Sequence, residues 1–221
     1  MSRIRTVAVV ALATSAALAV PAVAQASPLN PYETVSMPLS AAIEDLDIAD
    51  ESRDGYRRSA FPHWIDADRD GCNSRKEVLA EEALGDVSMS ECDVTNGLWF
   101  SYYDSQTFSD PSKLDIDHMV PLAEAWDSGA SGWTLEDRRA YANDLGDSRS
   151  LVAVSARSNR SKADQDPATW MPPSAEAHCQ YVAEWVAVKT RWDLAVDPAE
   201  RDALTELVGG CEDVIITVTR A

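Results

Sequence analysis

Two stretches of this chain carry side chains whose types and spacing suit chemistry. In Asp66-Ala67-Asp68-Arg69-Asp70-Gly71-Cys72-Asn73-Ser74-Arg75-Lys76-Glu77, oxygens stand at loop positions 1, 3 and 5, glycine at 6 and a carboxylate at 12. That is the spacing by which a single loop wraps hard oxygens around calcium, position 7 adding its backbone carbonyl. The candidate calcium ligands are therefore Asp66, Asp68, Asp70, Cys72 and Glu77. Asn73 stands where an apolar residue usually packs and no paired second loop follows, so an Asp-rich turn capping a helix over Ser74 to Ala83 is the competing reading. The second stretch, Leu114-Asp115-Ile116-Asp117-His118-Met119-Val120-Pro121-Leu122, alternates like a strand, ends at a proline and sets a carboxylate beside an imidazole. Strand neighbours point to opposite faces, so Asp117 and His118 can share a ligand only at a strand end or bulge. An isolated Asp-His pair is more often structural than catalytic.

The surrounding pattern supplies the elements that would position these groups. Ser150 to Ser155 reads as a second short strand, followed by Ala156-Arg157-Ser158-Asn159-Arg160-Ser161-Lys162. Between the two strands, Thr134-Leu135-Glu136-Asp137 starts a helix that runs to about Leu145 and stops at Gly146. Downstream, Ala175 to Leu194 places Val182, Trp185, Val186, Lys189 and Trp192 at helical spacing. Asp197-Pro198-Ala199-Glu200 opens a further helix and Gly209-Gly210 closes it. Upstream, residues 27 to 38 form an extended lead-in and Ala41 to Ser59 an acidic, weakly amphipathic helix.

Arg3 and Arg5, the apolar run Val7 to Val20 and Ala24-Gln25-Ala26 form a signal peptide over residues 1 to 26, too short to span a bilayer. Export and release follow, with no membrane contact after cleavage. In an oxidising compartment the four cysteines read as two disulfides, for which three connectivities exist. The antiparallel helical pair brings Cys179 beside Cys211, which leaves Cys72 with Cys92.

The formal charge is −18, and it becomes −20 once Arg3 and Arg5 leave with the signal peptide. A protein that coats duplex DNA through a broadly basic surface is excluded, because phosphate neutralisation needs clustered Lys and Arg. One island departs from the acidity: Arg149 to Lys162 holds four basic residues and no acid. A Gly-x-Ser-x-Gly elbow and an HExxH zinc motif are both absent. His63 and His178 are read as structural, and Trp185 and Trp192 as core.

Asp117-His118-x-Val120-Pro121 followed by Asn159-Arg160-x-Lys162 resembles the HNH endonucleases. The wider text, from Asp115 through Leu122-Ala123-Glu124-Ala125-Trp126 to Pro167-Ala168-Thr169-Trp170-Met171-Pro172, is similar to their secreted actinobacterial branch, related to the nuclease region of GmrSD-type restriction enzymes. The resemblance implies an α+β fold with a ββα-metal core, His118 as general base, and Asp117 and Asn159 as ligands of one Mg²⁺ or Mn²⁺ ion. It implies phosphate contacts from Arg160 and Lys162. The family usually has Asn or His, as a brace for the hairpin loop, at the position Ser150 occupies; Asn143-Asp144 is a substitute source for that brace.

The expected organisation is a signal peptide at 1–26, a lead-in and helix at 27–60, the Asp-rich loop and disulfide region at 61–111, the nuclease core at 112–173 and a helical hairpin at 174–221 packed with the core as one domain. The expected function is secreted hydrolysis of DNA phosphodiester bonds by a monomer without a protein partner, RNA being the alternative substrate. From a different class, the rival is a calcium-stabilised extracellular binding protein on a catalytically degenerate HNH scaffold. A different metal-dependent hydrolase is the third alternative.

Overall fold

The two strands read from alternating patterns, Leu114–His118 and Leu151–Ser155, both form and pair antiparallel, with Leu114 opposite Ser155 and His118 opposite Leu151. The computed structural model describes residues 32–67 and 69–221. The expected signal peptide and Asp68 lie outside the described residues. In chain order the elements begin with β1 (Thr34–Pro38), α1 (Leu39–Asp45), α2 (Ser74–Glu81), β2 (Ser88–Ser90) and β3 (Asp93–Asn96). β4 (Trp99–Ser101), β5 (Gln106–Phe108), β6 (Leu114–His118), α3 (Leu122–Asp127) and α4 (Leu135–Tyr141) follow. The chain then forms β7 (Leu151–Ser155), α5 (Ala156–Lys162), α6 (His178–Trp192), α7 (Pro198–Val208) and β8 (Ile215–Thr219). The described strands form four two-stranded antiparallel sheets: β1 with β8, β2 with β3, β4 with β5, and β6 with β7. This is a mixed α and β fold of small sheets.

The β6–β7 pair is covered on both faces, which explains why β7 is a continuous apolar run. Leu114, Ile116, Leu151 and Ala153 pack against Val78 and Leu79 of α2 and the wholly buried Trp99. From the opposite face, Val152 and Val154 join a larger core with Tyr181, Val182, Trp185 and Val186 of α6. Gly97 lies against Trp99: a Cβ there would stand 2.6 Å from the indole, so the close approach requires glycine.

Lys189 of α6 is wholly buried and ties three helices. Its three ammonium hydrogens are shared among Glu124 Oε1 at 2.9 Å, Glu200 Oε2 at 2.6 Å, Ser128 Oγ at 2.9 Å and the Ala195 carbonyl at 2.8 Å. Such a polar residue on an otherwise apolar helical face survives burial because each donor is matched.

Several sequence expectations are corrected. The helix expected over Ala41 to Ser59 ends at Asp45, and only a 3-10 turn, Arg58–Ala60, follows before Phe61. The acidic stretch between them has no apolar stripe to bury, and Ile48 instead bridges Val196. α4 stops at Tyr141 rather than near Leu145, because Asn143 and Asp144 leave the helix to bind neighbouring segments. β1 and β8 join the two ends of the described chain, a pairing that the reading of 27 to 38 as a lead-in did not anticipate.

Both disulfides form with the expected partners, Cys72 with Cys92 and Cys179 with Cys211. Cys179 lies in the first turn of α6 and Cys211 just past α7, so the bridge closes the helical pair. Replacing Cys179 and Cys211 by serine is expected to lower stability by about 2–4 kcal/mol in urea denaturation while the Cys72–Cys92 bridge remains intact.

Candidate functional site

The regular register of β6 sends Asp115 and Asp117 to the face shared with Val154 and Val152, and His118 to the face shared with Leu151. No bulge interrupts it, and Met119 N–H continues the pairing to the Ser150 carbonyl. The backbone therefore does not turn at the Asp117-His118 pair, and the two side chains serve different surroundings.

Asp117 is 5% exposed. Its Oδ2 accepts the Tyr103 hydroxyl at 2.7 Å and Lys162 Nζ at 2.5 Å. Lys162, the last residue of α5 and wholly buried, also donates to the carbonyls of Met119 at 2.7 Å and His118 at 3.1 Å. Three acceptors at one nitrogen call for an ammonium with three hydrogens. Burial pushes Asp117 up and Lys162 down, and each opposes the other's shift. The phosphate contact expected of Lys162 is corrected here: its donors are used inside the fold. α5 delivers it because Ser155 ends β7 and caps α5 at once, its side chain accepting from Ser158 N–H.

Asn159 and Arg160 lie one turn earlier on α5, beside Asp115. Asn159 Nδ2 is 3.4 Å and Arg160 Nε 3.3 Å from Asp115 Oδ2. Arg160 is 74% exposed. Arg157 lines a nearby cleft of about 590 Å³ with Gln106, Ser161 and Trp170. The basic island is reduced accordingly, because Arg149 pairs with Asp147 and Lys162 is internal, so Arg157 and Arg160 are its solvent-facing cations.

On the other face, His118 Nε2 lies 2.9 Å from the Ala142 carbonyl. A carbonyl only accepts, so Nε2 carries the proton and Nδ1 keeps a lone pair. Burial lowers the imidazole to about 3, with Arg58, His63 and Lys162 pushing the same way and the Ala142 bond opposing. The ring sits 5.4 Å from Trp64, 6.4 Å from His63 and 6.4 Å from Tyr141. His63 and Trp64, one read as structural and the other not singled out, thus line the candidate base. Trp64 holds φ at 57°, a strained backbone for an indole residue.

Asn143 fixes this wall. Its Oδ1 accepts from Ile65 N–H at 3.0 Å and Ser74 Oγ at 2.8 Å, and its Nδ2 donates to the Pro62 and Arg139 carbonyls, both at 2.8 Å. Both ends of the Asp-rich loop are thereby clamped near His118. Within the loop, Asp66 accepts from the N–H groups of Arg69 and Gly71, and Asp70 from that of Cys72. Gly71 takes φ +98°, the conformation for which position 6 needs glycine. Asn73 caps α2 by accepting from Lys76 N–H, and Glu77 lies in its first turn. Ser150 Oγ donates to Asp144 Oδ2 at 2.7 Å, and Asp144 also accepts from Arg191 and Trp192.

The structure thus joins Asp117 to Lys162, Asn159 and Arg160 to Asp115, and Ser150 to Asp144, while His118 makes its contacts on the opposite face. Sequence reasoning missed Tyr103, Trp64 and the Ala142 carbonyl, which are brought in by tertiary packing; Asp115 was visible as the same-face strand neighbour of Asp117. Because folding depresses His118 from 6.5 to about 3, its contribution to stability is present above pH 6.5 and is lost as pH falls through that window. Urea midpoints measured from pH 7 to pH 4 should decline more steeply for the wild type than for His118→Asn.

Among the described residues no helix is long and apolar enough to cross a membrane. An uncharacterized secreted protein of Arthroderma benhamiae is 43% identical over 159 residues, covering 72% of this chain and 77% of that relative. No solved structure matches the chain significantly. Residues 85–207 match the family described as GmrSD restriction endonucleases, C-terminal domain. That span contains β6, β7, α5 and their buried connections, and the chain belongs to this nuclease-related family.

Proposed function

We propose that this protein is a secreted, metal-dependent HNH-type nuclease that hydrolyses phosphodiester bonds of DNA, with RNA as the alternative substrate and His118 as general base. The observation carrying this reading is the bond from His118 Nε2–H to the Ala142 carbonyl, which fixes the ring and leaves Nδ1 as a neutral proton acceptor. Its depressed pKa keeps the imidazole unprotonated at neutral pH. Arg160, with Arg157 along the same helix, supplies cations for the substrate phosphates.

The resemblance to HNH endonucleases implies one Mg²⁺ or Mn²⁺ ion, and the donor chemistry fits it. The hydrogen bonds of Asp117 fall on Oδ2 and the Asp115 contact of Asn159 uses its amide nitrogen, so one carboxylate oxygen and one amide oxygen are left on the α5 side. Such an ion, completed by water, would offset charge on the phosphorane and the departing 3′ oxygen. Lys162 holds the second oxygen of Asp117 and is assigned as a positioning residue. In the Asp-rich loop, Asp66, Asp68, Asp70, Glu77 and the Cys72 carbonyl are proposed as calcium ligands.

Export agrees with the two disulfides and with the relative's description as secreted. The acidic mature chain is expected to repel DNA at low salt, so cleavage should rise with moderate ionic strength and fall once phosphate contacts are screened. A second reading, a calcium-stabilised binding protein on a degenerate scaffold, is favoured by one observation: Asp117 and His118 face opposite sides of β6.

Plasmid nicking separates the two. The oxidised mature protein should nick with Mg²⁺ or Mn²⁺ and stop in EDTA, and His118→Ala should lose about 10²–10⁴-fold in rate with an unchanged fold. Failure of the wild type to cut DNA or RNA with any of these ions would overturn the enzyme reading and leave the binding-protein one.

A further inference from the structure

A group of carboxylates outside the His118 region comes together from four parts of the chain. Glu51, in the segment after α1, meets Glu124 and Asp127 of α3 on one side and Asp166 and Asp197 on the other. Asp166 follows α5, and Asp197 is the N-cap of α7. Within each three-residue group, one carboxylate oxygen per residue lies within 4.8 Å of the others.

Acidic groups gather on many protein surfaces, but Glu124, Asp127 and Asp166 here are buried. The Asp127 side chain is 3% exposed; Oδ2 accepts from Arg53 Nε at 2.6 Å, whereas Oδ1 is buried with no hydrogen-bond partner. A buried, ionised oxygen without a partner is costly, and a cation would remove that cost. The neighbouring carboxylates share the same division of labour. Glu124 accepts from Ser128 and Lys189 through Oε1, Asp166 from Ala168 and Thr169 through Oδ1, and Asp197 from Glu200 N–H through Oδ1. In each, these bonds fall on one oxygen and leave the second outside them.

The adjacent protein cations do not neutralise the cluster. Lys189 divides its donors among Glu124, Glu200, Ser128 and the Ala195 carbonyl, and Arg53 serves Asp127 and Asp164. Burial first, and then Glu124, Asp197, Asp127 and Asp166, push Glu51 up to about 7.

We propose that Glu51, Glu124 and Asp127 form a binding site for one Ca²⁺ ion. Every donor is oxygen, which selects a hard cation over zinc or copper. Ligands on opposite sides of calcium stand about 4.8 Å apart, against about 4.2 Å for magnesium, and calcium tolerates an irregular set. Bound there, the ion staples the segment after α1 to α3. The site is separate from both the Asp-rich loop and the Asp117–Asn159 pair.

The test is calorimetry of the EDTA-stripped, oxidised mature protein with CaCl₂, paired with thermal melts with and without the ion. Glu51→Gln is the chosen variant, since Glu51 is exposed and makes no structural hydrogen bond; circular dichroism checks its fold. Wild type should bind Ca²⁺ and melt higher with it, and Glu51→Gln should bind at least tenfold more weakly with a smaller thermal gain. Asp66→Asn should keep the Glu51-dependent heat. The proposal is overturned if wild type neither binds nor gains stability, or if Glu51→Gln titrates and melts like wild type. It also fails if Asp66→Asn alone removes the calcium heat.

Discussion

The buried pair between Asp117 and Lys162 is the interaction on which the site depends. A carboxylate and an ammonium taken out of water are tolerable only when their remaining hydrogen-bonding positions are filled, and here Tyr103 and the carbonyls of His118 and Met119 fill them. These bonds fasten the end of α5 to the end of β6. Asn159 and Arg160 are carried into place beside Asp115 by the same docking. Without the pair, α5 would have an uncompensated charge facing the core formed with α6.

A sheet of two strands buried on both sides imposes a division of chemistry. Side chains at even and odd positions of β6 enter different environments. On the α5 side these are oxygens and cations; on the α2 side, an imidazole among Trp64, His63 and Tyr141. Neutrality of His118 and ionisation of Asp117 are thus separate consequences of one strand's alternation. The Ala142 carbonyl and the Lys162 ammonium each fix one member, so neither relies on the other for its orientation.

The acidity of the chain is organised rather than diffuse. Asp144 collects Ser150, Arg191 and Trp192, and thereby ties the turn before β7 to the end of α6. Glu124 and Glu200 hold Lys189 at the junction of three helices. These acids are interior acceptors paired with Lys189 and Arg191, whereas Arg157 and Arg160 are exposed.

Alternation and capping made β6, β7, α7 and the Cys179–Cys211 bridge legible, because each is specified by residues close in the chain or by a helical pair joined through a short loop. The loss of the helix beyond Asp45 was less legible, since its acidic stretch has no stripe and is held by a bridge to Val196, far along the chain. The same distinction divides the site. By itself, the sequence marked the candidates for chemistry: the Asp117-His118 pair, Asn159, Arg160, Lys162 and the Asp-rich loop. Only the tertiary structure decided that Lys162 is an internal counter-ion, that Ala142 selects the His118 tautomer, and that Glu124 and Asp127 meet Glu51. Local patterns fix backbone geometry and the face a side chain takes, but partners separated by tens of residues are chosen by packing and by the need to match every buried charge.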